Sequence, residues 1–390
     1  MRRRTTWSVA GAAVLSIALS ACGGGASGGS SDTIKLGAWM PLSGAIAATG
    51  EPVEAGTKVC FDQVNADGGI NGKKVDWIAK DNAYDPQQTV RVARELIGQD
   101  EVVAIVGSLG TAHGEATFPY VIEQQGVPIL NNYGGALHWY DPPQPGLMGV
   151  QTPYETQAEL LAQWALEDGA KSITVVHSDP DAFAHVAKGA QDGVEAVRSD
   201  AEVTLLPVRI GTTDYAPIVN QVRSQQPDAV VLIMPVDEAA QYLSERQLQK
   251  LDVPTYGYSV HAANALLELA DDAAEDFKTV SWTLPPADES EAVAEYREVL
   301  AEHAPDQKPD FPSLFTYAAC KSFVEIVSGI DGDITKDSIR EAYESASGVE
   351  TGILPELNFS KDHTLGTNEV VKVVVEDGEF VTQGDFTEPK

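Results

Sequence analysis

From residue 33 onward, short runs rich in β-branched residues alternate with amphipathic stretches of helical period. Ile34 to Trp39, Lys74 to Ala79, Val102 to Val106 and Val127 to Leu130 read as strands. Glu51 to Asn65, Pro86 to Gly98 and Ala112 to Gln125 read as the helices between them. The Pro/Gly-rich stretch Asp141 to Gly146 interrupts the rhythm, which then restarts. Strands over Ser172 to His177, Val203 to Val208, Ala229 to Met234 and Thr255 to Tyr258 now alternate with helices. Those helices cover Glu155 to Asp168, Phe183 to Arg198, Tyr215 to Gln225 and Asp237 to Lys250. Such alternation predicts an α/β fold, with parallel sheets covered by helices on both faces. Two separate series predict two doubly wound lobes. Beyond Trp282 the pattern gives two long helices (Glu289 to Glu302, Ser313 to Ser328), a shorter one and a hairpin. Val370 to Val375, the turn Glu376-Asp377-Gly378 and Glu379 to Thr382 make that hairpin. This tail is too small for a third domain and must pack on the first two.

The first 32 residues follow a different logic. Arg2, Arg3 and Arg4 precede an uncharged, mostly apolar run from Trp7 to Ser20, and small residues lead into Cys22. That is the layout of an export signal, and its apolar run is shorter than the ~20 residues that span a bilayer as a helix. Leu19-Ser20-Ala21-Cys22 resembles the lipobox of bacterial lipoproteins. The resemblance implies removal of residues 1–21, a lipid on Cys22 and anchoring on the outer face of the cell membrane. Residues 22–32 are Gly/Ser-rich and form a tether, reaching roughly 17 Å for ten such residues.

Composition narrows the partners. The formal net charge is −32 over 390 residues. Losing Arg2, Arg3 and Arg4 lowers Lys+Arg from 26 to 23 against 58 Asp+Glu, near −35. Such a surface repels nucleic acid and anionic lipid. Cys22 aside, Cys60 and Cys320 form an even pair in an oxidising compartment, either bridged or buried as two small apolar thiols.

Motifs for catalysis or cofactors are scarce. Gly23 to Gly28 matches GxGxxG but lies in the tether, with no strand before it. Gly68-Gly69-Ile70-Asn71-Gly72-Lys73 lacks phosphate-loop spacing and reads as a tight turn. No GxSxG or HExxH occurs, and the seven histidines are dispersed. No cofactor and no metal are expected.

Ile34-Lys35-Leu36-Gly37 followed by Pro41-Leu42-Ser43-Gly44 resembles the opening of the leucine/isoleucine/valine-binding proteins, substrate-binding components of ABC importers. Phe61-Asp62-Gln63-Val64-Asn65-Ala66-Asp67-Gly68-Gly69-Ile70-Asn71-Gly72-Lys73-Lys74 is similar to that family's most recognisable block. Asp81-Asn82 with Asp85-Pro86, Val103 to Ser108, Thr213-Asp214-Tyr215 and Gln226 to Val231 continue the likeness in order. The resemblance implies a type I periplasmic-binding fold, two lobes joined by three crossovers, with ligand held in the cleft. Lobe 1 is then 33–149 plus 286–332 and lobe 2 is 150–285 plus 333–390, with crossovers near 147–152, 282–289 and 330–335. Cys60 and Cys320 both fall in lobe 1.

In open α/β sheets, ligands sit outside the carboxyl ends of strands. Two loops fit: Val106 to Thr111, with Ser108, Thr111, Ala112 and His113, and Asn131 to Ala136, with Tyr133, Gly134 and Gly135. The resemblance implies that these clamp the ligand's carboxylate and help hold its ammonium, that Phe183 covers the ligand and that Ser259 stands where an acidic residue pairs that ammonium. A neutral Ser259 leaves a buried ammonium unpaired, at a cost of several kcal/mol. That argues against plain α-amino acids and for a carboxylate, amide or aromatic acid. Thr49, Asp237, His261 and Tyr317 complete the candidates. Each has a plainer role: Thr111 as a helix cap, His113 at a helix start, Tyr133 in packing, Phe183 in the core, Asp237 as a favourable charge on a helix start.

Three functions follow. The first is a monomeric, lipid-anchored solute-binding protein that passes its ligand to ABC permease subunits. The second is a sensory receptor on the same fold, signalling occupancy to a membrane partner. The third is an envelope enzyme, for which no nucleophile–base motif is present.

Overall fold

The computed structural model describes residues 33–44 and 46–390, so the expected signal peptide, Cys22 and tether lie outside the described residues. Five strands form an all-parallel first sheet: β1 (Thr33–Met40), β2 (Lys74–Asp81), β3 (Ala104–Val106), β4 (Ile129–Leu130) and β5 (Leu147–Met148), in the order β2-β1-β3-β4-β5. Register runs from Thr33 opposite Lys74 to Met40 opposite Asp81. The second sheet has seven strands: β6 (Ser172–Ser178), β7 (Glu202–Val208), β8 (Ala229–Ile233), β9 (Thr255–Gly257), β10 (Lys278–Ser281), β11 (Val371–Glu376) and β12 (Glu379–Thr382). Its order is β12-β11-β10-β9-β8-β6-β7, parallel except at β11 and β12. Every residue of β8 is apolar and buried, as a strand covered by helices on both faces requires. The expected pair of doubly wound α/β lobes is therefore what the chain forms.

Helices α1 (Ala47–Ala66), α2 (Pro86–Gly98) and α3 (Thr111–Phe118) accompany the first sheet. Helices α4 (Tyr154–Glu167), α5 (Asp181–Ala196), α6 (Ala216–Gln225), α7 (Val236–Leu248) and α8 (Asn264–Ala270) accompany the second. Local chemistry fixes several ends. The Asp85 carboxylate accepts the Gln88 N–H ahead of Pro86, which opens α2. The helix expected to run from Ala112 to Gln125 changes at Pro119, where six residues wind into a π-helical turn. Proline has no N–H to continue the i→i−4 ladder. The strand β10 escapes the sequence pattern because Val280 is its single aliphatic side chain.

The chain crosses between the sheets three times: over 149–153, over 282–290, and again after Leu365. The last differs from the crossover expected at 330–335. There the chain only turns from α10 (Phe311–Ser328), which follows α9 (Glu291–His303), into α11 (Lys336–Tyr343). A reciprocal Thr335–Ser338 capping box starts α11. Ile339 and Tyr343, four apart on one face, are then buried against the first lobe. Tyr343 meets Phe323 at 6.5 Å between ring centroids and its hydroxyl accepts from the Asn131 amide at 3.2 Å. The strand-like segment after it stays with the first sheet: Gly149 N–H donates to Thr364 O (3.0 Å), and Gly366 N–H to Gly149 O (2.8 Å). Slightly further on, the Thr152 hydroxyl donates to Glu369 O at 2.8 Å.

Behind the first sheet, α1 and α10 lie side by side. Cys60 and Cys320 are joined by a disulfide with their Cα atoms 6.3 Å apart, both buried. Beside it the Thr316 hydroxyl donates to Val53 O and the Tyr317 hydroxyl to Gln63 Oε1.

Candidate functional site

The parallel pairing of β3 and β4 continues past the strands into their exit loops. Tyr133 N–H donates to Ser108 O (2.6 Å) and Gly110 N–H to Tyr133 O (2.9 Å), so the loops 107–111 and 131–135 lie side by side. Ser108 is spent on the scaffold: its buried hydroxyl accepts the Trp39 N–H at 3.1 Å. Gly110 has φ +111°, and a Cβ there would fall 2.4 Å from His113 Nδ1. Only glycine leaves room for that ring. A Cβ on Gly134 would come within 3.0 Å of the Thr111 nitrogen and 2.9 Å of Asn132 Nδ2. The loops therefore approach backbone to backbone.

His113, at the start of α3, is 4% exposed, lies 4.1 Å from the Tyr84 ring and has no partner at either ring nitrogen. Asn132 is equally buried with neither amide atom paired. Gln151, on the first crossing, accepts the Gly134 N–H through Oε1 at 2.9 Å. Its Nε2 faces the Tyr154 hydroxyl without closing a hydrogen bond.

The other wall comes from the second lobe and the crossings. Trp282 lies on the second crossing. Its ring meets Phe315 at 5.0 Å, Tyr133 at 5.3 Å and Tyr154 at 6.2 Å. Tyr154 at the start of α4 stands edge-to-face on Tyr258 at 5.3 Å. Ser259 follows, 3% exposed; its N–H donates to Gln157 Oε1 (3.0 Å) and its hydroxyl has no partner. The Trp282 Nε1–H is unpaired as well. Burial, reinforced by neighbouring hydroxyls, pushes the Tyr133, Tyr154 and Tyr258 phenols up, so all three stay protonated.

The remaining candidates scatter. Gly135 is buried beside Gln151. Thr111 is half-buried next to Gly134, while Ala112 and Thr49 are exposed. Phe183 is half-buried in the first turn of α5. His261 faces inward: Nε2 bonds Met234 O at 2.9 Å and the ring packs on Tyr258 and Phe277. Burial lowers its pKa to about 4 and keeps it neutral. Tyr317 lies behind the sheet, beside the disulfide. Asp237 is exposed; the carboxylate turned inward is its neighbour Glu238, 2% exposed. Glu238 accepts from the Ser178 hydroxyl (3.0 Å), the Tyr215 hydroxyl (2.9 Å) and Gly211 N–H (2.6 Å).

Sequence reasoning missed Tyr84, Asn132, Gln151, Tyr154, Glu238, Trp282 and Phe315. Only Asn132 lay inside a segment already singled out. Among the described residues no group of three or more His, Cys, Asp or Glu is placed to hold a metal ion.

What gathers at the carboxyl ends of both sheets is an aromatic cluster edged by unpaired polar atoms, between two lobes joined by three crossings. The sequence profile of a family described as periplasmic binding protein matches residues 33–379. The chain belongs to that family. Among periplasmic binding proteins, it is 23% identical over 364 residues to the leucine-specific-binding protein of Salmonella typhimurium (strain LT2), covering 91% of this chain and 92% of that one. With two other curated relatives, both Leu/Ile/Val-binding proteins by name, the chain spans about half of their length, 53% and 58%. In structure it is similar to a branched-chain amino acid ABC transporter protein from Thermus thermophilus with bound valine (TM-score 0.82, 15% identity, 92% of this chain and 97% of that one). It is similar also to a fatty acid ABC transporter substrate-binding protein from Thermomonospora curvata (TM-score 0.81, 21% identity, 91% and 92%). These structural likenesses show that the chain shares its two-lobed substrate-binding fold with both proteins.

Proposed function

We propose that the chain is an extracytoplasmic solute-binding lipoprotein, held by Cys22, that captures a small polar or amphipathic nutrient between its lobes. It then delivers that ligand to the permease of an ABC importer, acting as a monomer. The observation that carries this reading is the convergence of buried, unpaired polar groups (His113, Asn132, Ser259, Trp282) from both lobes onto one aromatic cluster. A buried polar atom without a partner costs about 1–3 kcal/mol, and a ligand that pairs several such atoms recovers that cost. Closure of the lobes on the ligand makes a two-state element that a permease can read. Support from relatives is of the same kind, since the Thermus thermophilus structure holds valine.

The test is a thermal-shift screen of the protein against amino acids, amides, aliphatic acids and aromatic acids. A true ligand at about 100 times its Kd stabilises by about 2.7 kcal/mol. The expected result is a shift from one chemical class that disappears in Trp282→Ala. No shift from any class would sink the proposal.

A further inference from the structure

We propose that the cleft selects an apolar, aromatic-tolerant carboxylate that carries no ammonium group. This deepens the solute-binding reading and rests on it.

The first ground is the balance of donors and acceptors. Trp282 Nε1–H and the Asn132 and Gln151 amide nitrogens are donors by nature and lack partners. The unpaired Ser259 hydroxyl and the two His113 ring nitrogens can each donate or accept. Groups that only accept are fewer: of these unpaired atoms, Asn132 Oδ1 alone. A carboxylate only accepts, through about four lone-pair sites, and a donor-rich neutral site suits it.

The second ground is the state of the nearby carboxylates. An ammonium taken out of water needs an anion or several acceptors around it. Glu238 lies near Tyr258, but three donors from the second lobe already hold its oxygens. Asp310 lies near Tyr133. Its carboxylate accepts the N–H of Asn264, across the lobe boundary, and that of Phe311, both through Oδ1. Glu238 is not presented free, and Asp310 keeps only its Oδ2 without a hydrogen-bond partner. The third ground is the wall itself: Tyr133, Tyr154, Tyr258, Trp282 and Phe315 offer ring faces and edges that suit a flat, apolar body.

The experiment pairs each amino acid with its des-amino counterpart by calorimetric titration of the protein: phenylalanine with hydrocinnamate, leucine with isocaproate. The expected result is that hydrocinnamate binds at least about tenfold tighter than phenylalanine, since one unpaired buried ammonium costs more than a tenfold affinity step. Ser259→Ala should weaken hydrocinnamate several-fold with the fold intact, and Ser259→Glu should move preference toward the amino acid. Equal or tighter binding of phenylalanine or leucine overturns the inference, as does failure of both des-amino acids to bind. Amino-acid binding that Ser259→Ala and Trp282→Ala weaken would leave the solute-binding cleft standing while this inference falls. Des-amino acid binding untouched by either variant would overturn the inference too, because the site would then lie outside the cleft.

Discussion

Buried polar groups are treated in opposite ways in two neighbouring regions. At the carboxyl end of the second sheet, Glu238 is sealed from water yet collects three hydrogen bonds, one from the end of β6 and two from the loop between β7 and α6. Across the aromatic cluster, His113 and Asn132 are sealed as deeply and collect none. Paired burial holds a fold together; unpaired burial is tolerated where something else is meant to pair. The network around Glu238 ties β6, the loop after β7 and the start of α7 into one rigid edge. Around His113, at the start of α3, and Asn132, in the loop after β4, the structural bonds are carried by the backbone and by the neighbours Ser108, Asn131 and Gln151, which leaves these two side chains unpaired.

The contrast breaks first at Glu238. Glu238→Ala strands the Ser178 hydroxyl, the Tyr215 hydroxyl and the Gly211 N–H, and should cost about 3–5 kcal/mol in urea unfolding at pH 7. A change under about 1 kcal/mol would show that the network is not structural.

Titration sharpens the contrast next. His261 is pushed down to about 4, from 6.5, by burial. Below pH 6.5 the unfolded chain takes up a proton that the folded ring refuses. Stability from this group is therefore full above 6.5 and lost as pH falls toward 4, by about 3 kcal/mol. Asp310 runs the other way. Burial pushes its carboxyl up to about 6 despite two backbone N–H bonds. The folded state takes the proton first, so stability rises as pH falls from about 6 to 4, by about 3 kcal/mol. The two offset in the native protein. Asp310→Asn should unmask a steep loss of stability on acidification from pH 6.5 to 4, and His261→Gln a gain. Unchanged pH profiles in both variants would contradict the assigned environments.

The smallest effect belongs to the unpaired side. Replacing Asn132 by Leu or Ser259 by Ala removes an unsatisfied group, so without ligand the melting temperature should stay level or rise, within about 1 kcal/mol. Ligand affinity should nevertheless drop. A loss of stability above 2 kcal/mol would place these residues with Glu238 instead.

What the sequence made legible follows from where each signal resides. The run Ala229 to Ile233 announces a buried parallel strand by itself, and the exit loops after β3 and β4 follow from strand ends. His113, Tyr133 and Gly134 were singled out that way, and Ser259 through the family resemblance. Tyr154, Gln151 and Trp282 sit on or beside the crossings, and their meeting depends on how two lobes associate, which no local pattern encodes. The shift from Asp237 to Glu238 has a narrower cause. Successive helical residues point about 100° apart, so a start misplaced by one residue exchanges an exposed carboxylate for a buried one. The third crossing was placed some thirty residues early because Gly329 to Thr335 reads as a linker, while only packing shows that Ile339 and Tyr343 belong to the first lobe.

The first and third crossings are laced to each other through Gly149, Thr364 and Gly366, and through the Thr152 hydroxyl to Glu369 O. Two strands bonded edge to edge form a ribbon, which flexes easily across its face and resists shear within its plane. In the closure proposed above, such a ribbon would let the lobes swing about one preferred axis, like covers on a spine. A spine of this kind returns the same side chains to the same places at each closure, which keeps a cleft discriminating even though its two walls belong to separate bodies.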